Sequence, residues 1–212
     1  MTRIVAIDPV HPQPDLIAEA VAVLRSGGLV VYPTRCLYGL GGDAGNPEAA
    51  AKVFEAKGRP ESQPVSVICS TPAMIASIVQ AVPPLAQTIM DHFWPGSVTI
   101  VMPANQSLPA LLTAGTGKIG IRRPAHAVAE ALAAALGRPI TATSANRSGS
   151  EGCYRVEDLS PEVLAHVDLV LDAGDLDGGV GSTVVDASGE APVIIREGLV
   201  AAEEIMAVAH SD

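Results

Sequence analysis

The chain has 212 residues, of which 48% are apolar and only 3% aromatic, so its core must be built from Ala, Val, Leu and Ile. Thirteen basic residues against twenty-three acidic ones give a net charge of −10, which argues against a polybasic nucleic-acid or anionic-membrane binder. No apolar run reaches the roughly 18–20 residues that span a bilayer, no signal-peptide pattern opens the chain, and three cysteines without regular spacing form no disulfide framework; the expectation is a cytoplasmic protein.

In chain order, a β-branched run predicts a strand at Arg3–Ile7. Apolar spacing then predicts a helix at Pro14–Arg25, stopped by Gly27-Gly28. A strand at Leu29–Tyr32 runs into Pro33-Thr34, after which Gly39, Gly41 and Gly42 crowd four residues. Gly39-x-Gly41-x-x-Ala44 formally matches a dinucleotide fingerprint, but the next helix starts only at Pro47 and no acid at a strand end follows about 20 residues on. A tight strand-to-helix crossover is the plainer reading.

Asn46 caps the helix Pro47–Ala56, with proline at its first position. That helix ends in Lys57-Gly58-Arg59-Pro60, where Gly58 breaks the helix and lets two cations turn toward one anion. A cationic helix C-terminus complementing the dipole explains the same residues as simply. Further strands are predicted at Val65–Cys69, Val98–Met102, Ile119–Arg122, Ile140–Thr143, Leu169–Leu171, Thr183–Asp186 and Val193–Arg196. Further helices are predicted at Pro72–Gln80, Pro84–Phe93, Ala127–Leu136 and Ala201–Ala209. The alternation specifies an α/β fold with a twisted, mixed sheet flanked by helices.

Charge is unevenly spread. Between His92 and Ser150 only Glu130 opposes Lys118, Arg122, Arg123, Arg138 and Arg147, whereas Arg196 is the lone base after Val156. Lys118 and Arg122 fall on the same side of one strand by alternation, and Arg122 is expected at a strand's C-terminal edge, where α/β sheets bind ligands. Gly115-Thr116-Gly117-Lys118 lacks the remaining residues of a phosphate loop, so a P-loop NTPase is rejected. Thr141-Ala142-Thr143-Ser144-Ala145-Asn146-Arg147-Ser148-Gly149 leads a strand into hydroxyls and an amide, an ordinary turn motif when taken alone. Gly178-Gly179-Val180-Gly181-Ser182-Thr183 offers backbone N–H groups for an anion nest.

Taken in order, these motifs carry more than each does alone. Pro-Thr-x-x-x-Tyr-Gly-Leu-Gly, Lys-x-Arg-Pro, Trp-Pro-Gly-x-x-Thr, Arg-x-Pro, Ser-x-Asn, Gly-Ser-Thr-Val-Val-Asp and Ile-Arg-x-Gly together resemble the YrdC-type L-threonylcarbamoyladenylate synthase family over about residues 13–200. The resemblance implies one YrdC-like domain over 1–212 with a concave basic ligand cleft. It implies a nucleotidyltransferase that joins L-threonine, bicarbonate and ATP into threonylcarbamoyl-AMP and pyrophosphate, for tRNA threonylcarbamoyladenosine modification. ATP enters as substrate with Mg²⁺ carried by the triphosphate and no protein-ligated metal. A separate tRNA threonylcarbamoyl transferase would act downstream, with weak or absent tRNA binding by this chain.

Residue by residue, the resemblance implies catalytic roles for Lys57, Arg59, Ser144 and Asn146, and ATP contacts from these four with Gln63, Lys118 and Arg196. Thr34, Cys36, Ile68, Arg122 and Ser182 fall at threonine-contact positions. The chain departs from the family pattern at Pro33-Thr34-Arg35-Cys36, where an acid and a second Thr are usual. It departs also at Ile68, often His, and at Gln63, commonly Lys. These departures motivate an alternative: a divergent YrdC-like paralogue that binds nucleotide or RNA without making threonylcarbamoyl-AMP.

Overall fold

Proline and capping residues start the helices where the sequence puts them. Asn46 Oδ1 accepts from the backbone N–H of Glu48 at 2.9 Å and of Ala49 at 3.2 Å, and Thr71 Oγ1 accepts from Met74 N–H at 3.2 Å. The computed structural model describes residues 2–210. Its first half contains β1 (Arg3–Ala6), α1 (Pro14–Arg25), β2 (Val30–Pro33), β3 (Tyr38–Gly41), α2 (Pro47–Lys57), β4 (Ser66–Ile68), α3 (Pro72–Ile78), α4 (Pro84–Phe93) and β5 (Val98–Pro103). Then come α5 (Ala110–Thr113), β6 (Lys118–Arg122), α6 (Ala127–Leu136), β7 (Ile140–Ser144), α7 (Pro161–Leu164), β8 (Leu169–Asp172), β9 (Thr183–Asp186), β10 (Val193–Arg196) and α8 (Ala202–Ala209).

The strands form one mixed sheet in the order β1-β8-β2-β3-β7-β4-β6-β5-β9-β10. The pairs β1/β8, β2/β8, β4/β6 and β5/β9 are parallel and the other five are antiparallel. The α/β class and mixed sheet agree with the sequence reading. Among the described residues no helix is long and apolar enough to cross a membrane.

Three cores set the layers. Around β2, β3 and β8, both faces are covered. Leu24, Val128 and Leu132 of α1 and α6 close one side, and Val53 and Val163 of α2 and α7 close the other. Around β5, β6 and β9 only one face is covered, and β4 marks the border, with Val67 in this core and Ile68 in the one closed by α1 and α6. On the covered face Val67, Ile100, Met102, Ile119, Ile121 and Val185 pack with Ile75, Ile89 and Ile205 of α3, α4 and α8. The alternate residues of those strands face the other way, and that side carries no helical layer of its own. Strand periodicity of two therefore decides which side chains meet a ligand.

One strand was not anticipated. The glycine-rich Tyr38–Gly41 is no crossover but a strand, β3, paired with β2 and β7. Its glycines make room for an aromatic ring: a Cβ on Gly39 or Gly41 would lie 3.0 or 2.8 Å from ring atoms of Tyr32 on the neighbouring strand. Gly39 and Gly41 are thus strand residues rather than a dinucleotide-binding turn. Strand ends otherwise shift by one residue, and α3 stops at Ile78, two residues before the predicted Gln80.

Candidate functional site

The open side of the sheet is a cleft of about 800 Å³. It is lined by alternate residues of neighbouring strands: Lys118, Gly120 and Arg122 of β6, Thr99 and Val101 of β5, and Val184 and Asp186 of β9 with Ser182 just before it. Ser66, Ala142 and Ser144 extend the floor, and Tyr32, Thr34 and Cys36 close one end. Arg122 is the last residue of β6, at the strand's C-terminal edge as expected, and it lines the cleft. The cleft lies across the face of the sheet, beyond Tyr32, Ile68 and Ile140, which pack into the core with α6. Small floor residues keep it open. A Cβ on Gly120 would come within 2.6 Å of Ser66 Oγ.

Of the residues singled out from the sequence, Thr34, Cys36, Lys57, Arg59, Gln63, Lys118, Arg122, Ser144, Asn146, Ser182 and Arg196 all line this cleft. Ile68 does not. It is fully buried in the core closed by α1 and α6, so the expectation that it contacts ligand is not supported by its placement. Along β6 the charges at Lys118 and Arg122 are separated by four residues, roughly 13 Å at about 3.3 Å per residue.

The cationic side chains are held differently. Lys118 Nζ donates to Asp186 Oδ2 at 2.7 Å, within an ion pair. Burial works to raise the Asp186 pKa, but hydrogen bonds from Lys118 and Ser188 win and lower it. Arg59 donates to the Gln63 and Pro64 carbonyls at 3.0 and 2.8 Å, and Arg196 donates to the Ser182 carbonyl at 2.7 Å. None of these acceptors carries a charge. Among the described residues Arg122 has neither an ion-pair nor a hydrogen-bond partner for its guanidinium. Burial lowers the pKa of Arg122 and of Arg59, and Arg196 adds to the lowering of both. Arg59 and Arg122 therefore each sense the charge of Arg196, with Asp186 the one carboxylate among the lining residues.

Lys57 departs from its expected orientation. Its ammonium is buried and donates to the carbonyls of Ser144 at 2.5 Å and Asn146 at 2.6 Å. Gly58, in the left-handed region at φ 55°, ends α2 as predicted. It leaves room for Arg147 rather than for a shared anion, since a Cβ there would meet the Arg147 guanidinium at 2.6 Å. Arg123 and Arg138 also turn away, pairing with Glu130 at 3.6 Å and Asp43 at 2.9 Å. The basic stretch of the sequence thus sends only Lys118 and Arg122 into the cleft.

At the closed end, Thr34 Oγ1 donates to the Leu37 carbonyl at 2.6 Å, shaping the turn between β2 and β3. Arg35 is exposed and pairs with Asp177 at 3.3 Å. The N–H groups of Asp177 and Gly178 donate to the carbonyls of Arg35 and Cys36 at 3.3 and 3.0 Å, tying the glycine-rich segment to this turn. Burial, followed by Asp177, pushes the Cys36 thiol pKa up, which suits a neutral wall and not a nucleophile. Sequence reasoning assigned no site role to Thr99, Ser66, Tyr32, Ser148 or Asp186, although Thr99, Ser148 and Asp186 fall inside its motifs. Thr99 was detectable as the polar alternate in Val98-Thr99-Ile100, and its Oγ1 lies 2.8 Å from Ser182 Oγ.

Comparison with known proteins follows the same residues. The family model Sua5_yciO_yrdC, described as Telomere recombination, matches residues 22–198. The threonylcarbamoyl-AMP synthase of Bacillus subtilis (strain 168) is 37% identical over 193 residues, covering 91% of this chain and 56% of that protein. The crystal structure of Pyrococcus abyssi Sua5 complexed with L-threonine superposes with a TM-score of 0.92 at 32% identity, covering 98% of this chain and 61% of that one. Escherichia coli YciO superposes with a TM-score of 0.88 at 29% identity, covering 97% of this chain and 100% of that one. The chain spans little more than half the length of the first two relatives. With 37% identity over nearly its whole length, and with its sheet reproduced, the chain belongs to the Sua5/YciO/YrdC family.

Proposed function

We propose that the chain is an L-threonylcarbamoyl-AMP synthase, a nucleotidyltransferase acting on L-threonine, bicarbonate and ATP. The observation that carries this reading is Arg122, a guanidinium in the cleft with no partner of its own. An arginine left in that state suits a carboxylate, which it takes in a two-pronged, charge-assisted pair. The threonine complex of the Sua5 relative supports an amino acid as the partner. Arg59, Lys118 and Arg196, with Ser144, Asn146 and Gln63, would take the nucleotide. Ser182, Thr34 and Cys36 would surround the threonine side chain.

Chemistry follows from alignment. The threonine amine and bicarbonate give a carbamate and water. A carbamate oxygen attacks the α-phosphorus of ATP, and the bond from that phosphorus to the bridging oxygen breaks, releasing pyrophosphate. No side chain is required as general base, because the carbamate is already an anion. Fixed cations stabilise charge as it develops on the phosphoryl oxygens, and the cleft holds both reactants in line. Mg²⁺ arrives with the triphosphate as part of the substrate. The one lining carboxylate, Asp186, is occupied by Lys118, so the residues present do not favour a resident metal.

The remaining expectations join this proposal. The continuous sheet supports reading the 212 residues as one unit. Three free, buried cysteines fit a reducing cytoplasm. The product would pass to a separate transferase that handles tRNA. Calorimetric titration tests the reading: L-threonine and ATP each bind wild-type protein, and threonine binding is lost in Arg122→Ala. Tight ATP binding with no threonine binding overturns it in favour of a paralogue that has kept only the nucleotide side. The Arg35–Asp177 pair, at a position where the family pattern has an acid, favours that second reading.

A further inference from the structure

Residues 144–148 present three polar groups that no described residue uses. Ser144 Oγ makes no hydrogen bond among the described residues, and Asn146 Oδ1 and Ser148 Oγ are buried without partners. All three residues line the cleft. The Asn146 amide is fixed in orientation, since its Nδ2 donates to the Arg147 carbonyl at 2.8 Å and the Ser150 carbonyl at 2.6 Å. Its oxygen is therefore left to accept. Buried polar groups without partners are costly and rare, and two on one turn, beside the unpartnered Ser144 hydroxyl, mark a surface completed by a ligand.

Lys57 holds that turn from beneath. Its ammonium donates to the Ser144 and Asn146 carbonyls, and its own carbonyl accepts from Ser148 N–H at 2.8 Å. One residue thus supplies a contact to each of the three positions that carry a free polar group. Among the described residues no carboxylate pairs with the ammonium, so the carbonyls are what keep it in place.

We propose that Lys57 is a positioning residue for the nucleotide side of the cleft: it aims Ser144, Asn146 and Ser148 at the ligand, and Ser148 is itself a ligand contact. This rests on the synthase reading for the identity of the ligand, but the positioning half does not. Ser148 donates or accepts through a hydroxyl, and Asn146 accepts, so the ligand portion they meet carries hydroxyl or amino hydrogens together with oxygen acceptors.

The test compares wild type, Lys57→Met, Ser148→Ala and the double variant. Amide hydrogen exchange at residues 145–148 is read without ligand, and steady-state kinetics are read with ATP and threonine varied in turn. Lys57→Met is expected to speed exchange of the turn at least tenfold. It raises KM for ATP about tenfold and leaves KM for threonine within twofold. Ser148→Ala raises KM for ATP about threefold in wild type and has no further effect in the Lys57→Met background. A merely structural role would lower kcat through a smaller active fraction and leave both KM values unchanged, which overturns the proposal. Fully additive effects overturn it too, because they place Lys57 on the ligand independently of the turn. If Lys57→Met does not fold, Lys57→Arg replaces it; exchange in the turn and KM for ATP then move together. Exchange in the turn unchanged in a folded variant contradicts positioning outright. Absence of turnover in wild type counts against the synthase reading alone, and the exchange measurement still decides the positioning role.

Discussion

Ile68 and Arg122 are register partners on the adjacent parallel strands β4 and β6, yet only Arg122 reaches the cleft. Ile68 is sealed into the core that α1 and α6 close, and its neighbour on the ladder faces the cleft. The boundary between core and site therefore runs between two hydrogen-bonded strands.

Ile68→Ala tests that boundary. Removing a fully buried isoleucine side chain is expected to cost about 2–5 kcal/mol of stability. Threonine affinity should stay within about threefold. Urea denaturation and calorimetry on the same preparation measure the two quantities.

Arg122→Met separates binding from folding in the opposite direction. The guanidinium has no internal partner whose loss would leave an orphan, so the variant should melt no earlier than wild type. A charge-assisted pair with a ligand is worth about 1.5–3 kcal/mol, so threonine binding should weaken roughly 10- to 100-fold. Thermal melts with titrations check both.

The pH dependence of stability carries the signature of Lys57. Burial, with a further contribution from Arg59, pushes its ammonium down to about 8 from an ordinary value of 10.5. Between those values the unfolded chain binds the proton and the folded chain does not. Protonated Lys57 thus opposes folding below pH 8, and the penalty is relieved as pH rises toward 10.5. The stability difference between wild type and Lys57→Met should shift toward wild type by about 1.4 kcal/mol per pH unit across that window. Paired denaturation curves at pH 7.5, 8.5 and 9.5 measure it.

Arg35→Ala should matter little. Its pair with Asp177 is exposed on both sides, and such pairs contribute about 0–1 kcal/mol. The backbone bonds from Asp177 and Gly178 hold the turn without it. Melting midpoint and threonine affinity should both remain close to wild type.

Much of this was legible in the sequence because local rules and tertiary structure agreed. Asn46-Pro47 and Thr71-Pro72 start helices by capping, and that needs no distant partner. Lys118 and Arg122 share a face because strand periodicity is two. β3 was hidden because its strand character comes from Tyr32 filling the space over Gly39 and Gly41, a contact across strands that glycine content alone disguises. Lys57 was misjudged for a similar reason. Its acceptors lie 87 and 89 residues away, and nothing near α2 announces them. The position of the cleft across the sheet depended on how far the core packed with α6 extends, a matter of packing.

The account stands most directly on pyrophosphate release from ATP by the purified chain, assayed with L-threonine, with L-serine and with no amino acid. It predicts release that requires both threonine and bicarbonate, exceeds that with serine, and falls at least tenfold in Arg59→Ala and Arg122→Ala. Release indifferent to threonine, or none from protein that still binds ATP, would contradict it.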